Sequence, residues 1–147
     1  MARLQHAPLE LAPLIEEVRA ATYGALATFS GIVRDHHAGR SVRSLSYTAY
    51  EPMAEAILEE IVTEAEVRFT VRVALAHRLG DVPIGEAAVL VAVGSGHRGP
   101  AFDALRWVID EVKSRVPIWK RESYADGSEA WVDPTVEGGV HPVSATG

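Results

Sequence analysis

A glycine-rich turn that follows an apolar segment is the part of this chain best suited to bind an anion. The apolar residues 89–93 lead into the turn at 94–99, which contains His97 and Arg98 and ends at Pro100. Proline favours the first position of a helix, because its missing N–H would be unpaired there. A helix starting at Pro100 would present free N–H groups beside the two basic side chains, which suits phosphate. An ordinary solvated loop is the alternative.

Lys113 is the second residue whose position could serve chemistry. The helix predicted from Pro100 to about residue 116 has an apolar stripe formed by Phe102, Leu105, Val108, Ile109, Val112 and Val116. At about 100° per residue, Lys113 lies roughly 20° from Phe102, at the margin of this stripe. Either its stem packs on the edge of the core while the ammonium pairs with Asp110, or the ammonium points into a pocket. Partial desolvation there would suit it to proton transfer or to holding an anion.

An aromatic residue stands next to two cations just after this helix. Trp119 precedes Lys120, Arg121 and Glu122. The indole could simply fill the core, or it could form a wall against a flat ligand with the cations beside it. Both interpretations remain open from the residues alone.

The histidines elsewhere in the chain favour structural interpretations. His36 and His37 are adjacent, so in an extended loop they would point apart, and no carboxylate or cysteine spacing completes a metal site. We therefore predict that both are solvated loop residues. The pair His77-Arg78 repeats the dipeptide at 97–98, but a turn follows it. It is interpreted as the end of a strand.

The turn at 94–99 also matches the dinucleotide-binding pattern G-x-G-x-x-G. It lies late in the chain, Pro100 is unusual in such a turn, and no acidic residue closes a following strand to hold a ribose. We therefore reject a Rossmann site here. A dinucleotide-dependent oxidoreductase that uses this turn is a second enzymatic alternative, which nicotinamide binding would reveal.

Composition limits the class of protein. The 147 residues fit one domain, with 48% hydrophobic and 23% charged residues, as in soluble globular proteins. The net charge of -6 argues against nucleic-acid binding. The first residues lack the apolar core of a secretory signal, no apolar run reaches the length of a membrane span, and a cytoplasmic location is expected. The chain has no cysteine, so any sulfur chemistry needs sulfur carried by another molecule.

Helical and strand patterns interleave along the chain. In order, we predict a helix from Pro13, a buried strand over 24–33, a strand with Leu45, Tyr47 and Ala49 on one face, a helix with an apolar stripe from Ala54 to Ala65, strands over 71–76 and 87–93, the helix from Pro100, and a hairpin of 118–124 and 130–132 around Asp126-Gly127. This mixture predicts an α+β fold with a mixed sheet. Residues 1–133 form the predicted domain, and 134–147 form a flexible tail.

Together these segments resemble the large, catalytic subunit of molybdopterin synthase. The matching segments are 29–35, 45–50 with 53–54, 77–80, 96–98 with 101–102, and Lys113 with 116–122. They cover most of residues 24–132 in the same order. The chain departs from the family pattern at Thr48, Gly96 and Arg121, where an acidic residue, an alanine and a lysine are usual.

The resemblance implies a fold, a reaction and partners. The fold is a hammerhead-type α/β arrangement with a mixed sheet, flanking helices and a small antiparallel β part. The subunit is a homodimer, and a separate ubiquitin-like subunit inserts a C-terminal Gly-Gly thiocarboxylate into each active site, which makes a heterotetramer. Two sulfurs pass to cyclic pyranopterin monophosphate and form the dithiolene of molybdopterin. No cofactor, metal, nucleic acid or membrane is implied.

The resemblance also implies a set of substrate-binding residues, which are Arg34, His97, Arg98, Lys113, Lys120, Arg121 and Glu122. Of these, Lys113 and Lys120 are the implied catalytic residues, flanking the thiocarboxylate and the carbon it attacks as proton donor or electrostatic stabiliser. Arg34, His97 and Arg98 bind the anion, and Arg121 and Glu122 complete the basic pocket. The alternative from another class is a non-catalytic module that binds a partner or a nucleotide, in which the lysines serve only an interface. Turnover with a thiocarboxylated partner separates the two.

Overall fold

The chain forms two β-sheets and three helices in a computed structural model, which describes residues 1–132 and 140–142. In chain order the elements are β1 (Ala2–Gln5), α1 (Leu11–Val18), β2 (Ala25–Ile32), β3 (His36–His37), β4 (Arg40–Ala49), α2 (Glu51–Phe69), β5 (Arg72–Arg78), β6 (Gly80–Val82), β7 (Ala87–Ser95), α3 (Arg98–Arg115), β8 (Ile118–Tyr124), β9 (Glu129–Val132) and β10 (Val140–Pro142). The predicted α+β class is confirmed.

The first sheet is mixed and is covered by helices on both faces. Its order is β1-β5-β7-β2, with β1 parallel to β5 and the other pairs antiparallel. On β5, Ala74 and Ala76 pack against α1, whereas Val73 and Leu75 belong to the main core with α2 and α3. Small residues toward one helix and larger branched residues toward the others let three helices pack on one sheet.

The second sheet is antiparallel. Its order is β10-β9-β8-β4-β3, and β6 pairs with the other half of β4 on the same edge as β3. The hairpin predicted around Asp126-Gly127 is confirmed by β8 and β9. Gly127 has a φ of 88°, a conformation that glycine adopts without a steric penalty.

The predicted strand at 24–33 exists, but it is not buried. As β2 it is the edge strand of the first sheet, only Ala27 is buried, and Leu26 and Ile32 are each 49% exposed. Small and branched residues are equally compatible with an edge strand, because strand propensity does not depend on whether a second neighbour is present.

Both helices predicted to begin at a proline begin earlier. In α1 and in α3 the proline, Pro13 or Pro100, is the third helical residue. The first four N–H groups of any helix lack a partner within the helix, so proline costs no hydrogen bond anywhere in that turn. His97 is therefore the N-cap of α3 and Arg98 its first residue, and the predicted end near residue 116 is confirmed.

The predicted tail, residues 134–147, lies largely outside the described residues. Its described part, Val140–Pro142, forms β10 and pairs with β9. None of the helices within the described residues is long and apolar enough to cross a membrane.

Gly94 on β7 marks the closest approach between a helix and the first sheet, and it provides a test of this packing. A Cβ at Gly94 would lie 2.0 Å from the carbonyl oxygen of Val18, at the end of α1. We expect Gly94→Ala to destabilise the protein by about 2–3 kcal/mol or more, because backbone must move to admit the methyl group. Chemical denaturation with analysis of the unfolding free energy measures the change.

Gly99 in the first turn of α3 is the matched control. A Cβ there meets no atom within 4 Å. Gly99→Ala should leave stability unchanged or raise it by about 0.5–1 kcal/mol, because alanine restricts the unfolded chain. Equal effects of the two substitutions would contradict the close packing of α1 on β7.

Candidate functional site

A cavity of about 400 Å³ lies between the two sheets and the C-terminal half of α3. Its walls include the apolar side chains Phe29, Val89, Val91, Ile109, Val112 and Ile118. Its basic side chains are Arg34, His37, Lys113 and Lys120, and Tyr47 and His77 add two further polar groups. The cavity therefore combines an apolar lining with a concentration of positive charge.

The chain contains only two lysines, and both line this cavity. Lys113 comes from the last turn of α3, and Lys120 comes from β8. Pro117 ends the helix between them and turns the chain into the second sheet, so the two lysines approach from different elements. Arg34, which follows β2, adds a third cation from the other sheet. The protein has a net charge of -6, and all of its other basic side chains are arginines or histidines.

Lys120 is partly desolvated and is coupled to a buried carboxylate. Its Nζ lies 3.6 Å from Oε1 of Glu122, and Glu122 is only 2% exposed. Burial lowers the pKa of Lys120, the charge of Glu122 raises it, and the cations Arg34 and Lys113 lower it further. The net shift is downward. Lys120 is therefore a better proton donor than a lysine in water, and the cations act on one another across the cavity.

Glu122 lies behind Lys120 and holds other side chains in place. Its Oε2 accepts hydrogen bonds from the Tyr124 hydroxyl at 2.9 Å and from Nδ1 of His37 at 3.0 Å. A buried carboxylate needs such partners, because an unpaired charge in the interior is costly. The structure thus makes Glu122 a support for Lys120. Its side chain is not among the described groups that line the cavity.

Both adjacent histidines were predicted to be solvated loop residues, but they form the short strand β3, and only His36 is exposed. His36 is exposed, with Nδ1 2.9 Å from Asp35. His37 is half-buried and lines the cavity. The short strand β3 pairs with β4, with Ala38 and Gly39 at positive φ in the connection, and this pairing turns His37 toward Glu122. The hydrogen bond to Glu122, which is 85 residues away in the sequence, holds His37 at the site.

Two polar residues of the cavity were not predicted as site residues. His77 ends β5 as predicted, but its ring also lines the cavity, whereas Arg78 next to it is buried in an ion pair with Glu86 at 2.9 Å. Tyr47 lies directly opposite Lys120 in the β4–β8 register. The repeated His-Arg dipeptide and the family match over 77–80 were the sequence signals for His77. The alternation along β4 and the family match over 45–50 were the signals for Tyr47.

His97 and Arg98 lie at the opposite end of α3 from Lys113. Both are exposed, and neither is among the described residues that line the cavity. Lys113 follows Arg98 by 15 residues in the same helix, which separates their backbones by about 22 Å at 1.5 Å per residue. One copy of the chain does not bring these two groups of predicted site residues together.

Arg121 lies on the other face of β8. Side chains alternate along a strand, so Lys120 and Glu122 face the core while Trp119 and Arg121 face away from it. The Arg121 guanidinium lies 5.8 Å from the ring centre of Trp131, and Trp119 is 45% exposed. Trp119 is thus neither core filler nor a wall of this cavity. Phe102 is 62% exposed, so the buried stripe of α3 runs instead through Ala101, Ala104, Val108 and Val112.

The described residues contain no group of three or more His, Asp or Glu side chains suited to hold a metal ion. The chemistry available in the cavity is that of ammonium, guanidinium, imidazole and phenol groups. Three cations beside an apolar lining can bind a small anionic ligand with a flat apolar body, donate protons to it and stabilise negative charge that develops on it.

Comparison with known proteins places the chain among relatives of one family. A protein of Oryza sativa subsp. indica named molybdopterin synthase catalytic subunit is 50% identical over 124 residues, which make up 84% of this chain and 64% of that protein. The crystal structure of molybdopterin synthase from Staphylococcus aureus superposes with a TM-score of 0.83 at 35% identity, covering 87% of this chain and 93% of that chain.

A second structure is a complex of subunits 1 and 2 of molybdopterin-converting factor from Helicobacter pylori 26695. It matches with a TM-score of 0.70 at 28% identity and covers 85% of this chain and 86% of that chain. The sequence pattern of the family described as MoaE protein matches residues 4–115. That match includes the two central strands of the first sheet, all three helices and Lys113, and it ends before β8. The chain therefore belongs to the MoaE protein family.

Proposed function

We propose that this chain is the catalytic subunit of a molybdopterin synthase. In this reaction two sulfurs pass from the C-terminal thiocarboxylate of a small ubiquitin-like partner to cyclic pyranopterin monophosphate, and the dithiolene of molybdopterin forms. One observation carries the proposal: the only two lysines of a MoaE-family chain meet Arg34 in one cavity. The relatives named molybdopterin synthase support the same activity.

Electrostatics explains why this reaction needs such a cavity. The thiocarboxylate and the cyclic phosphate are both anions, and the protein itself has a net charge of -6. Bringing two anions together in a region of low dielectric would be unfavourable without positive charge nearby. Lys113, Lys120 and Arg34 supply that charge where the reactants would meet. They also would stabilise the negative charge that develops as sulfur attacks carbon.

Lysine, rather than arginine, at the two central positions is consistent with proton transfer. An arginine guanidinium does not release its proton in proteins, whereas a lysine with a lowered pKa can. Lys120 has that lowered pKa, which desolvation causes, and Glu122 limits the shift. We propose Lys120 and Lys113 as the catalytic pair, one as proton donor and one as electrostatic stabiliser. Glu122 is a positioning residue.

The chain has no cysteine, so it has no thiol of its own to carry the sulfur, and we propose that a partner supplies it. The Helicobacter pylori structure is a two-subunit complex, which supports a separate small subunit here.

We also propose a homodimer of this chain, hence a heterotetramer. Since His97 and Arg98 are about 22 Å of helix away from Lys113, they would contribute to anion binding from the second copy. We further propose a cytoplasmic location and a single catalytic domain over residues 1–133.

The geometry separates Arg121 and Glu122 from the side chains that line the cavity. Arg121 faces away from the cavity, so its place in the basic pocket rests on the family resemblance alone. Glu122 would act on the substrate only through Lys120 and His37, because its carboxylate is buried behind them.

Replacing either lysine by methionine tests the function directly. Lys113→Met and Lys120→Met keep the packing volume and remove the ammonium, so each should lower the rate by roughly 100-fold, the scale of a lost general acid or oxyanion donor. Lys113→Arg should restore only part of the rate. The measurement is single-turnover conversion of the cyclic precursor with saturating thiocarboxylated partner, together with a thermal melt.

Arg106→Met is the matched control, since it removes an exposed cation from the same helix. It should turn over at the parental rate. Failure of the parental protein to form molybdopterin with the partner would reject the enzyme and favour a non-catalytic binding module. Normal turnover by a well-folded Lys113→Met would reject the role of that lysine.

The pH profile tests the coupling between Lys120 and Glu122. The negative charge of Glu122 raises the pKa of Lys120, so Glu122→Gln should lower that pKa further. If the protonated ammonium is required, activity falls as pH rises through this pKa, and the alkaline limb of the rate profile should move to lower pH. Single-turnover rates between about pH 6 and 10 measure the shift. An alkaline limb that stays in place would contradict the coupling.

Glu129→Gln serves as the control for this experiment, because Glu129 is exposed on the neighbouring strand β9. It should leave the alkaline limb unchanged. A thermal melt of Glu122→Gln separates lost catalysis from lost folding.

Mixed dimers test the contribution of His97 and Arg98 from a second copy. Arg98→Glu and Lys113→Met would each inactivate a homodimer. A mixed dimer of the two variants contains one fully intact site only if Arg98 acts across the dimer, so it should recover about half of the parental rate. Tandem affinity tags isolate the mixed species. Absence of any recovery would show that each site uses its own Arg98, and an active Arg98→Glu homodimer would show that neither site needs it.

A further inference from the structure

The proposed mechanism leaves two polar groups of the cavity unused. His77 is 7% exposed at the end of β5, and its ring lines the cavity. The Tyr47 ring also lines it and packs edge-on against His77, with ring centres 5.1 Å apart and planes at 76°. Both residues come from strands, so their positions are set by the two sheets. A role for this pair in recognising the substrate rests on the proposed function, since that function supplies the substrate.

One hydrogen bond sets the tautomer of His77. Its Nδ1 lies 2.9 Å from the backbone carbonyl oxygen of Arg78, which can only accept. Nδ1 therefore carries the proton and donates it. Burial lowers the pKa of His77 to about 4, so the ring is neutral at physiological pH. Nε2 is then an unprotonated nitrogen with a free lone pair, and no hydrogen bond among the described residues uses it.

Tyr47 offers the complementary group. Burial, together with the charge of Glu122, raises the pKa of Tyr47 to about 12, so its hydroxyl keeps its proton. No hydrogen bond among the described residues uses this hydroxyl either. The cations Arg34, Lys113 and Lys120 can only donate. The other imidazole that lines the cavity, His37, is bonded to the Glu122 carboxylate. His77 is therefore the imidazole acceptor that lies beside the Tyr47 donor.

We propose that Nε2 of His77 accepts a hydrogen bond from an N–H on the edge of the pterin ring, and that the Tyr47 hydroxyl bonds a neighbouring polar atom of the same edge. The phosphate and the thiocarboxylate are acceptors only, so they occupy the cationic side of the cavity. His77 and Tyr47 are specificity-determining residues, because a flat ligand without a ring N–H would leave the Nε2 lone pair buried and unpaired.

Two isosteres of histidine separate recognition from a merely structural role. His77→Asn places an amide nitrogen near the position of Nδ1, which keeps the bond to the Arg78 carbonyl but leaves no acceptor at Nε2. His77→Gln places an amide oxygen near Nε2 and gives up the bond to Arg78. We expect His77→Asn to raise KM for cyclic pyranopterin monophosphate about 10–100-fold, with a much smaller change in kcat. His77→Gln should keep KM near the parental value.

A structural role predicts the reverse order, with the asparagine variant close to the parent and the glutamine variant impaired. That result, or an unchanged KM in His77→Asn, would overturn the inference. His36→Asn is the control, since His36 is exposed and outside the cavity. Steady-state rates with saturating thiocarboxylated partner give KM and kcat, and thermal melts report folding.

Tyr47→Phe keeps the question answerable if both His77 variants fail to fold. It removes only the hydroxyl and should raise KM for the same precursor about 10-fold, and an unchanged KM would overturn the inference. The parental protein separates this inference from the proposed function. If the parent forms no molybdopterin, the function itself fails, whereas normal parental turnover with unchanged KM in the variants rejects only the recognition of the pterin edge.

Discussion

The carboxylate of Glu122 is almost fully removed from solvent, and side chains from β3 and β8 converge on it. A charge in that position is tolerated only if partners replace the lost water. His37 and Tyr124 supply hydrogen bonds, and Lys120 supplies the opposite charge. The same carboxylate contacts Lys120 and His37, and both of these side chains line the cavity. The arrangement of the site thus depends on satisfying one buried charge.

The charge of the cavity opposes that of the whole protein. Three cations face a shared space in a chain with a net charge of -6. The desolvation that lowers the pKa of Lys120 also strengthens every charge interaction within the cavity. An anionic ligand would relieve the mutual repulsion of these cations. Acidic groups such as Glu55 and Glu59 on α2 are exposed on the outside, where solvent screens them.

Helix α3 connects the cavity that contains Lys113 to the exposed basic residues His97 and Arg98 at its N-terminus. Its C-terminal turn brings Lys113 to the cavity, and Pro117 then directs the chain into β8 with Lys120. Its N-terminal turn holds Arg98 at the other end of an 18-residue rod. A rigid helix keeps these two ends apart in one copy of the chain. A single ligand could use both ends only where two copies meet.

Local sequence determined most of the elements and one catalytic candidate. Period 3.6 identified α2 and α3, alternation identified β4 and β5, and Asp126-Gly127 identified the hairpin of β8 and β9. These signals work because they act over a few residues. Helical spacing also predicted that Lys113 lies at the margin of the apolar stripe of α3, and Lys113 lines the cavity. The family resemblance added Arg34 and Lys120, which the same cavity contains.

Only the tertiary structure decided which side chains share the site. His37 reaches Glu122 across 85 residues, and His77 faces the cavity through the pairing of β5 and β7. Neither the His37–Glu122 contact nor the position of His77 in the cavity can be predicted from neighbouring residues in the sequence, because strand register and sheet order depend on the whole core. The face of β8 that turns inward separates Lys120 from Arg121, although the two are adjacent in sequence. The sequence alone determined the residue types, and long-range packing decided which of them meet.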